Sequence, residues 1–262
     1  MKAVMLMLAL ASPAAADYAE VNGLKLYYEI HGTRGAKPPL VLLHGGGSSI
    51  ETSFARVLPG LAKNRQVIAF DQQGHGRTAD IPERPFTFEQ SADDAAALLR
   101  HLAIDRADFL GYSNGGSIAM QIAVRHPKLV RRLVVASAMV KRDGLVAGFF
   151  DGMRQASLEN MPAEFRENYT RLSPHPERLQ SFHDKSVQRM LGFKDWPAGM
   201  LKGIQSPVLL LFGDRDVVRA EHAVEMLRLI PHAQLMVLPD TDHMQVVERW
   251  PVAAIERFLD EK

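Results

Sequence analysis

Seven short strand-like segments recur along the chain, most of them continuous apolar runs. They are Leu24–Ile30, Leu40–Leu43, Val67–Phe70, Phe109–Leu110, Leu133–Ala136, Val208–Phe212 and Leu235–Leu238. Between them lie helix-like segments, namely Ser91–Leu102, Asn114–Arg125 and Val246–Leu259. Continuous apolar strands that alternate with helices are typical of a sheet buried on both faces. The pattern predicts an α/β fold with a mostly parallel sheet covered by helices on both faces.

One long segment, 141–205, contains no strand-like run. Helix-like pieces near 144–158, 162–171, 176–192 and 197–203 occupy it instead, and prolines separate them. Ordinary crossover helices are an alternative, but one crossover needs far fewer residues. We predict a helical cap inserted into a core formed by 17–140 and 206–262. The segment holds seven of the nineteen aromatic residues, and we expect Phe149 and Trp196 to contact the substrate.

The first sixteen residues, MKAVMLMLALASPAAA, resemble a secretory signal peptide. Lys2 precedes the apolar stretch Val4–Ala11, and small residues follow at Ala14–Ala16. We therefore expect a periplasmic or secreted protein; an apolar N-terminal strand or helix of a cytoplasmic protein is the alternative. The stretch is too short for a stable membrane anchor. No later segment has transmembrane length, so no integral membrane segment is expected after cleavage.

Composition narrows the chemistry. With 31 Lys and Arg against 30 Asp and Glu in 262 residues, the chain lacks the basic excess of a nucleic-acid binder. It contains no cysteine, which excludes disulfides, thiolate metal sites and a cysteine nucleophile. Serine, histidine and carboxylate chemistry remain.

The strongest motif is Gly111-Tyr112-Ser113-Asn114-Gly115. It follows an apolar run and opens a predicted helix, which is the context of a nucleophile elbow. A sharp strand-to-helix turn would project the Ser113 hydroxyl above the sheet at the positive end of the helix. A simple glycine- and serine-rich turn is the alternative. We predict Ser113 as the nucleophile.

A serine nucleophile needs a base, and the base needs an orienting carboxylate. Of ten histidines, His243 follows the last strand-like run, where sites on such sheets form. Asp216 lies three residues after Gly213, at the end of the preceding run, and can turn toward the histidine. Asp214 is the alternative acid, although a role within its own loop suits it better. The predicted order Ser113, Asp216, His243 matches that of one particular fold.

The loop His44-Gly45-Gly46-Gly47 follows another strand-like run. Acyl transfer requires two N–H donors for the developing oxyanion. We assign these to Asn114 and Gly46, with Gly47 as the neighbouring alternative to Gly46, and we expect Gly47 to contact the substrate. His44 is interpreted as a structural loop residue.

Together with Asp71-Gln72-Gln73-Gly74-His75-Gly76-Arg77-Thr78, these motifs make the chain resemble the α/β-hydrolases from about residue 21 to the end. Within them it is similar to capped carboxylesterases, enol-lactonases and carbon–carbon bond hydrolases. Serine at 113 excludes the members that use an aspartate nucleophile. The chain departs from many capped relatives at Asn114, where they have methionine or glutamine. The resemblance implies a structural turn at 71–78, and His75 is a disfavoured second base.

We therefore predict a serine hydrolase that cleaves a carboxylic ester or lactone through an acyl-enzyme. The alternatives are a carbon–carbon bond hydrolase of diketone- or dienoate-type substrates, a cofactor-free perhydrolase and, least favoured, a non-enzymatic binding protein. The expected partner is a small ester-like molecule. No metal or organic cofactor is implied, and the oligomeric state is left open.

Overall fold

A computed structural model describes residues 15–261. The predicted signal peptide, 1–16, therefore lies outside the described residues except for Ala15 and Ala16. The strands are β1 (Ala15–Val21), β2 (Leu24–His31), β3 (Leu40–Leu43), β4 (Val67–Phe70), β5 (Ala107–Tyr112), β6 (Val130–Ala136), β7 (Val208–Arg215) and β8 (Ala233–Asp242). The α-helices are α1 (Ile50–Phe54), α2 (Leu58–Leu61), α3 (Phe88–His101), α4 (Asn114–Arg125), α5 (Phe149–Arg154), α6 (Ala163–Leu172), α7 (Leu179–Leu191), α8 (Ala198–Lys202), α9 (Ala220–Leu229) and α10 (Val252–Asp260).

The strands form one eight-stranded sheet in the order β1-β2-β4-β3-β5-β6-β7-β8. The pairs β1–β2 and β2–β4 are antiparallel, and every other pair is parallel. All residues of β3, β4 and β5 are buried, which explains the continuous apolar sequences of β3 and β4. In β5 the buried Asp108 interrupts the apolar run. The predicted fold class is confirmed.

Alternate residues of each strand enter two separate cores. Val41 and Leu43 of β3 face the core that includes buried residues of α3 and α4, whereas Leu40 and Leu42 face the core that contains α1, α2 and α10 residues. This alternation follows from the two-residue period of a strand. Burial of both faces makes the central strands a rigid base for loops at their carboxyl ends.

Three elements differ from the sequence prediction. Strand β1 was not predicted; its first four residues are exposed, and only Ala19 and Val21 are buried. Helix α9 contains His222, which the sequence placed on or next to a helix without giving that helix bounds. The final helix begins at Val252 rather than Val246, because Pro251 disfavours helical backbone in the residue before it. A separate 3₁₀ turn, Gln245–Val247, precedes it.

The segment 141–205, hereafter the helical segment, connects β6 to β7 and contains α5 to α8 without a strand. Its helices contribute few buried residues: α5 has none, and α6 has two, Asn168 and Tyr169. A single β-bridge between Leu145 and Val218 ties its beginning to the loop after β7. Among residues 15–261, no helix combines the length and apolar character needed to cross a bilayer.

Candidate active site

Ser113 lies in the turn between β5 and α4. Its backbone has φ 53° and ψ −121°, a conformation that costs a non-glycine residue roughly 1–3 kcal/mol. The Ser113 N–H donates to the Ala136 carbonyl over 2.8 Å, which anchors the turn to β6. A Cβ atom at Gly111 would lie 2.2 Å from the Gly115 carbonyl oxygen, and one at Gly115 would lie 2.0 Å from the Leu43 carbonyl oxygen. Both glycines are therefore required by close backbone contacts.

Three predicted residues from three loops form one hydrogen-bonded relay. Ser113 Oγ lies 3.1 Å from His243 Nε2, and His243 Nδ1 lies 2.7 Å from Asp216 Oδ1. The Asp216 carboxyl is fully buried, while the His243 side chain is 19% exposed. A buried carboxylate on Nδ1 leaves Nε2 free to accept a proton from the serine.

Asp216 is held by two further donors. The Ser137 hydroxyl donates to Oδ2, and the Val218 N–H donates to Oδ1 over 3.1 Å. Burial opposes ionisation of Asp216, but the hydrogen bonds from His243, Ser137 and Val218 outweigh it and keep the carboxyl pKa below its usual value. Ser137 itself has a positive φ of 54°. The sequence analysis predicted no role for Ser137. Its position directly after a predicted strand could have indicated a place in the site.

Tyr112, the residue before Ser113, contacts the same histidine. Its hydroxyl donates to the His243 carbonyl over 2.8 Å, and the two ring centroids are 5.2 Å apart. Burial raises the pKa of the Tyr112 hydroxyl, so it remains a donor at neutral pH. The strand that carries the serine thus also positions the loop that carries the histidine.

The alternative acid, Asp214, binds the end of the neighbouring strand β8 rather than the histidine. Its carboxylate accepts the N–H groups of Asp240 and Thr241, each over 3.0 Å. These bonds lower its pKa and shape the connection from β8 toward His243. Asp214 does not contact the histidine ring.

The glycine-rich loop after β3 packs directly against the serine turn. A Cβ at Gly45 would approach Tyr112 Cδ1 to 2.9 Å, and one at Gly46 would approach Asn114 Nδ2 to 2.4 Å. Only glycine fits these positions without displacing a neighbour. Gly46, Asn114 and Ser113 line the same cavity, so the two predicted oxyanion donors lie beside the predicted nucleophile.

The histidines of the neighbouring turns have structural contacts. His44 Nδ1 donates to the Gly45 carbonyl over 2.8 Å, and its Nε2 accepts the Gln72 N–H over 3.0 Å. These two backbone partners require a neutral ring, and burial lowers the pKa of His44 to about 4. His75 is also buried and bonded to the Gln73 carbonyl, with its pKa well below the usual range. Neither residue contacts Ser113.

A cavity of about 440 Å³ opens above Ser113, between the sheet edge and the helical segment. Gly47 and Phe149 line it, as does His243. Methionines line much of the rest, namely Met153, Met161, Met190 and Met244. Among the described residues that line this cavity, none carries a carboxylate, ammonium or guanidinium group. Within residues 15–261, no group of three or more side chains is arranged to hold a metal ion.

Trp196 does not line this cavity, contrary to the sequence prediction. It is 6% exposed, its backbone N–H donates to the Val140 carbonyl over 2.9 Å, and its ring centroid lies 6.0 Å from that of Phe193. It lines a second cavity on the opposite side of α7. Trp196 lies in the irregular stretch between α7 and α8, where no helical or strand periodicity predicts which way a side chain faces.

Comparison with known proteins identifies similar chains. The sequence profile described as alpha/beta hydrolase fold matches residues 38–203. Serine hydrolase BPHL of Mus musculus is 29% identical over 237 residues, which cover 85% of this chain and 78% of that protein. A 2-hydroxymuconate semialdehyde hydrolase of Pseudomonas sp. strain CF600 is 41% identical over 104 residues, covering 38% and 36%. The enol-lactonase of Burkholderia xenovorans LB400 superposes with a TM-score of 0.75 at 24% identity, over 93% of this chain and all of that one.

Proposed function

The chain belongs to the α/β-hydrolase fold family, and on that premise we propose that it is a serine hydrolase that cleaves a carboxylic ester or lactone. The observation that carries the proposal is the hydrogen-bonded relay Ser113–His243–Asp216 at the base of an apolar cavity. A serine that contacts a histidine, itself oriented by a buried carboxylate, is the arrangement of an activated nucleophile.

In the proposed mechanism, Ser113 Oγ attacks the substrate carbonyl while His243 Nε2 takes the serine proton. Asp216 keeps the proton on Nδ1 and stabilises the imidazolium that forms. The N–H groups of Asn114 and Gly46 hold the oxyanion. His243 then protonates the leaving alcohol oxygen, and the acyl group remains on Ser113. In the second half, His243 deprotonates a water molecule, which attacks the acyl carbonyl and releases the acid.

We infer that the helical segment acts as the predicted cap over this site. Phe149, Met153 and Met190 come from this segment and form apolar walls opposite Ser113. Because no ammonium or guanidinium group lines the described cavity, an anionic substrate would lose hydration without gaining a permanent counter-charge. An uncharged ester or lactone with an apolar acyl or alcohol group is the substrate class that this lining favours.

Carbon–carbon bond hydrolysis of a diketone- or dienoate-type substrate is the second candidate. The similarity to a 2-hydroxymuconate semialdehyde hydrolase over 104 residues favours it. The described cavity lining contains no ammonium or guanidinium group to pair with a dienoate carboxylate, which disfavours such a substrate. We therefore rank it below ester hydrolysis.

The test is hydrolysis of p-nitrophenyl esters of increasing acyl length. Ser113→Ala should lower kcat by about 10⁴ or more, because no other group replaces the nucleophile. Ser186→Ala is the matched control: Ser186 lines the same cavity but donates to the Phe182 carbonyl, and its loss should leave kcat within about threefold. A fluorophosphonate should label the wild type once, at Ser113. Equal hydrolysis by wild type and Ser113→Ala would refute the proposed nucleophile.

Comparing these esters with a dienoate substrate separates the two candidate reactions. Faster turnover of a dienoate than of any ester, with the same dependence on Ser113, would favour carbon–carbon cleavage.

A periplasmic or secreted location is also proposed, and N-terminal sequencing of the mature protein tests it: a mature start at Met1 would contradict removal of 1–16.

A further inference from the structure

The second cavity, of about 340 Å³, lies on the side of α7 opposite Ser113. The amino end of α3, the loop before it and the carboxyl end of α7 enclose it. Its apolar walls are the aromatic rings of Phe86, Phe88, Phe193 and Trp196. Three residues of α7 face this cavity, namely Lys185, Gln188 and Arg189, as does Gly192 just after the helix. The α7 residues that face the active-site cavity are Phe182, His183, Ser186, Val187 and Met190. One helix therefore forms a wall of both cavities.

Arg189 is a buried cation with no acid beside it. The residue is 6% exposed, its Nε is buried without a hydrogen-bond partner, and no carboxylate within residues 15–261 forms an ion pair with its guanidinium. Its guanidinium carbon lies 5.0 Å from the Phe86 ring centroid and 5.6 Å from that of Phe88. Burial lowers the pKa of Arg189 to about 10, so the group remains protonated at neutral pH. The two rings stabilise the charge only in part.

The other charged groups around this cavity are already paired or exposed. Lys185 Nζ lies 2.6 Å from Asp80 Oδ2 and also donates to two carbonyl groups. Glu89, Lys194 and Asp195 are exposed at the rim, and Asp195 accepts the Arg142 N–H over 2.7 Å. Arg189 is therefore the uncompensated cation on the inner wall.

The amino end of α3 adds to this positive field. Thr87, Phe88 and Glu89 line the cavity, and they form the N-cap and first residues of this fourteen-residue helix. The positive end of a helix dipole favours an anion. The buried unpaired guanidinium and the helix end are thus independent features that favour the same ligand charge.

We propose that this second cavity binds a small organic carboxylate with an aromatic or apolar body. The carboxylate accepts hydrogen bonds from the Arg189 guanidinium, which presents a fork suited to two oxygens. The body of the ligand packs on Phe88, Phe193 and Trp196. The site is separate from Ser113, so it does not depend on the proposed hydrolase activity.

Benzoate is the probe, and ¹⁹F NMR of the full chain labelled with 5-fluorotryptophan is the measurement. The chain has two tryptophans: Trp196 lines the second cavity, whereas Trp250 packs 6.3 Å from Tyr112, beside the active site. Trp250→Phe assigns the two resonances. Benzoate should shift the Trp196 resonance saturably. The Kd for benzoate should be at least tenfold lower than the Kd for uncharged benzamide, which has nearly the same shape.

Two variants test the role of the guanidinium. Arg189→Met should weaken benzoate binding at least tenfold and remove the preference over benzamide, while Arg189→Lys, which keeps the charge without the fork, should weaken it less. Equal binding of benzoate and benzamide, unchanged binding by Arg189→Met, or a shift confined to Trp250 would each overturn the proposal. If Arg189→Met does not fold, the benzoate–benzamide comparison at Trp196 in the wild type still decides it.

Discussion

The carboxyl edge of the sheet and the helical segment 141–205 face each other across one cavity, but they are held in different ways. At the sheet edge, Ser113 is anchored by a backbone hydrogen bond to Ala136, and the neighbouring glycines allow backbone contacts that no side chain would permit. In the helical segment, α5 has no buried residue, and a Cβ at Gly152 would meet no atom within 4 Å. The sheet edge fixes the positions of the reacting atoms, whereas the helical segment determines the shape of the active-site cavity. We therefore expect changes at the edge to affect kcat and stability, and changes in the segment to affect substrate selection.

The largest expected effect is at the edge. Asp216→Asn should lower kcat for ester hydrolysis by about 10³ to 10⁴ with little change in KM, because the amide can no longer hold the proton on His243 Nδ1. Steady-state kinetics measures this, and circular dichroism checks that the fold is kept. Asp214→Asn is the matched control, since the Asp214 carboxylate accepts the backbone N–H groups of Asp240 and Thr241 in β8 and not the His243 ring. A larger loss of kcat in Asp214→Asn would reverse the assignment of the acid.

Two glycine substitutions compare the regions directly. Gly115→Ala should lower the free energy of unfolding by about 3 kcal/mol, because its Cβ would lie 2.0 Å from the Leu43 carbonyl oxygen. Gly152→Ala, in α5, should raise it by about 0.5–1 kcal/mol through a better helix propensity. Urea denaturation of both variants provides the measurement. Equal destabilisation by the two substitutions would mean that the helical segment is packed as tightly as the edge.

The sequence predicted the site residues at the sheet edge better than those of the helical segment. The proximity of Ser113, Asp216 and His243 was predictable, because parallel strands bring their carboxyl ends to one edge and the motifs lie directly after strands. Trp196 was predicted to line the active-site cavity but lines the second one, because no periodicity in the irregular stretch between α7 and α8 specifies which of two apolar spaces a ring fills. Ser137 and Tyr112 were missed as supports of the relay, because their bonds join residues 79 and 131 positions apart. β1 was missed because most of its residues are exposed.

His44 gives the edge a pH dependence. Its folded pKa of about 4 lies below the unfolded value of about 6.5, so its contribution to stability is present above pH 6.5 and is lost as the pH falls toward 4. Between pH 7 and pH 5 this amounts to about 2 kcal/mol of unfolding free energy. His44→Gln should show a correspondingly shallower pH slope in urea denaturation. His232→Gln, which alters an exposed histidine, should keep the wild-type slope. An unchanged slope in His44→Gln would show that His44 is protonated at the same pH in both states.

The smallest expected effect lies in the helical segment. Phe149→Ala should raise KM for long-chain p-nitrophenyl esters by about tenfold while leaving kcat within about threefold, because a side chain that only lines the cavity contributes to binding rather than to proton transfer. Phe150→Ala is the matched control: its ring packs against the Arg142 guanidinium and does not line the active-site cavity, so KM should be unchanged. The difference should shrink as the acyl chain shortens, because a short chain has less apolar surface to lose. A fall in kcat comparable to that of Asp216→Asn would mean that α5 orients reacting atoms, and the division between a positioning edge and a shaping segment would not hold.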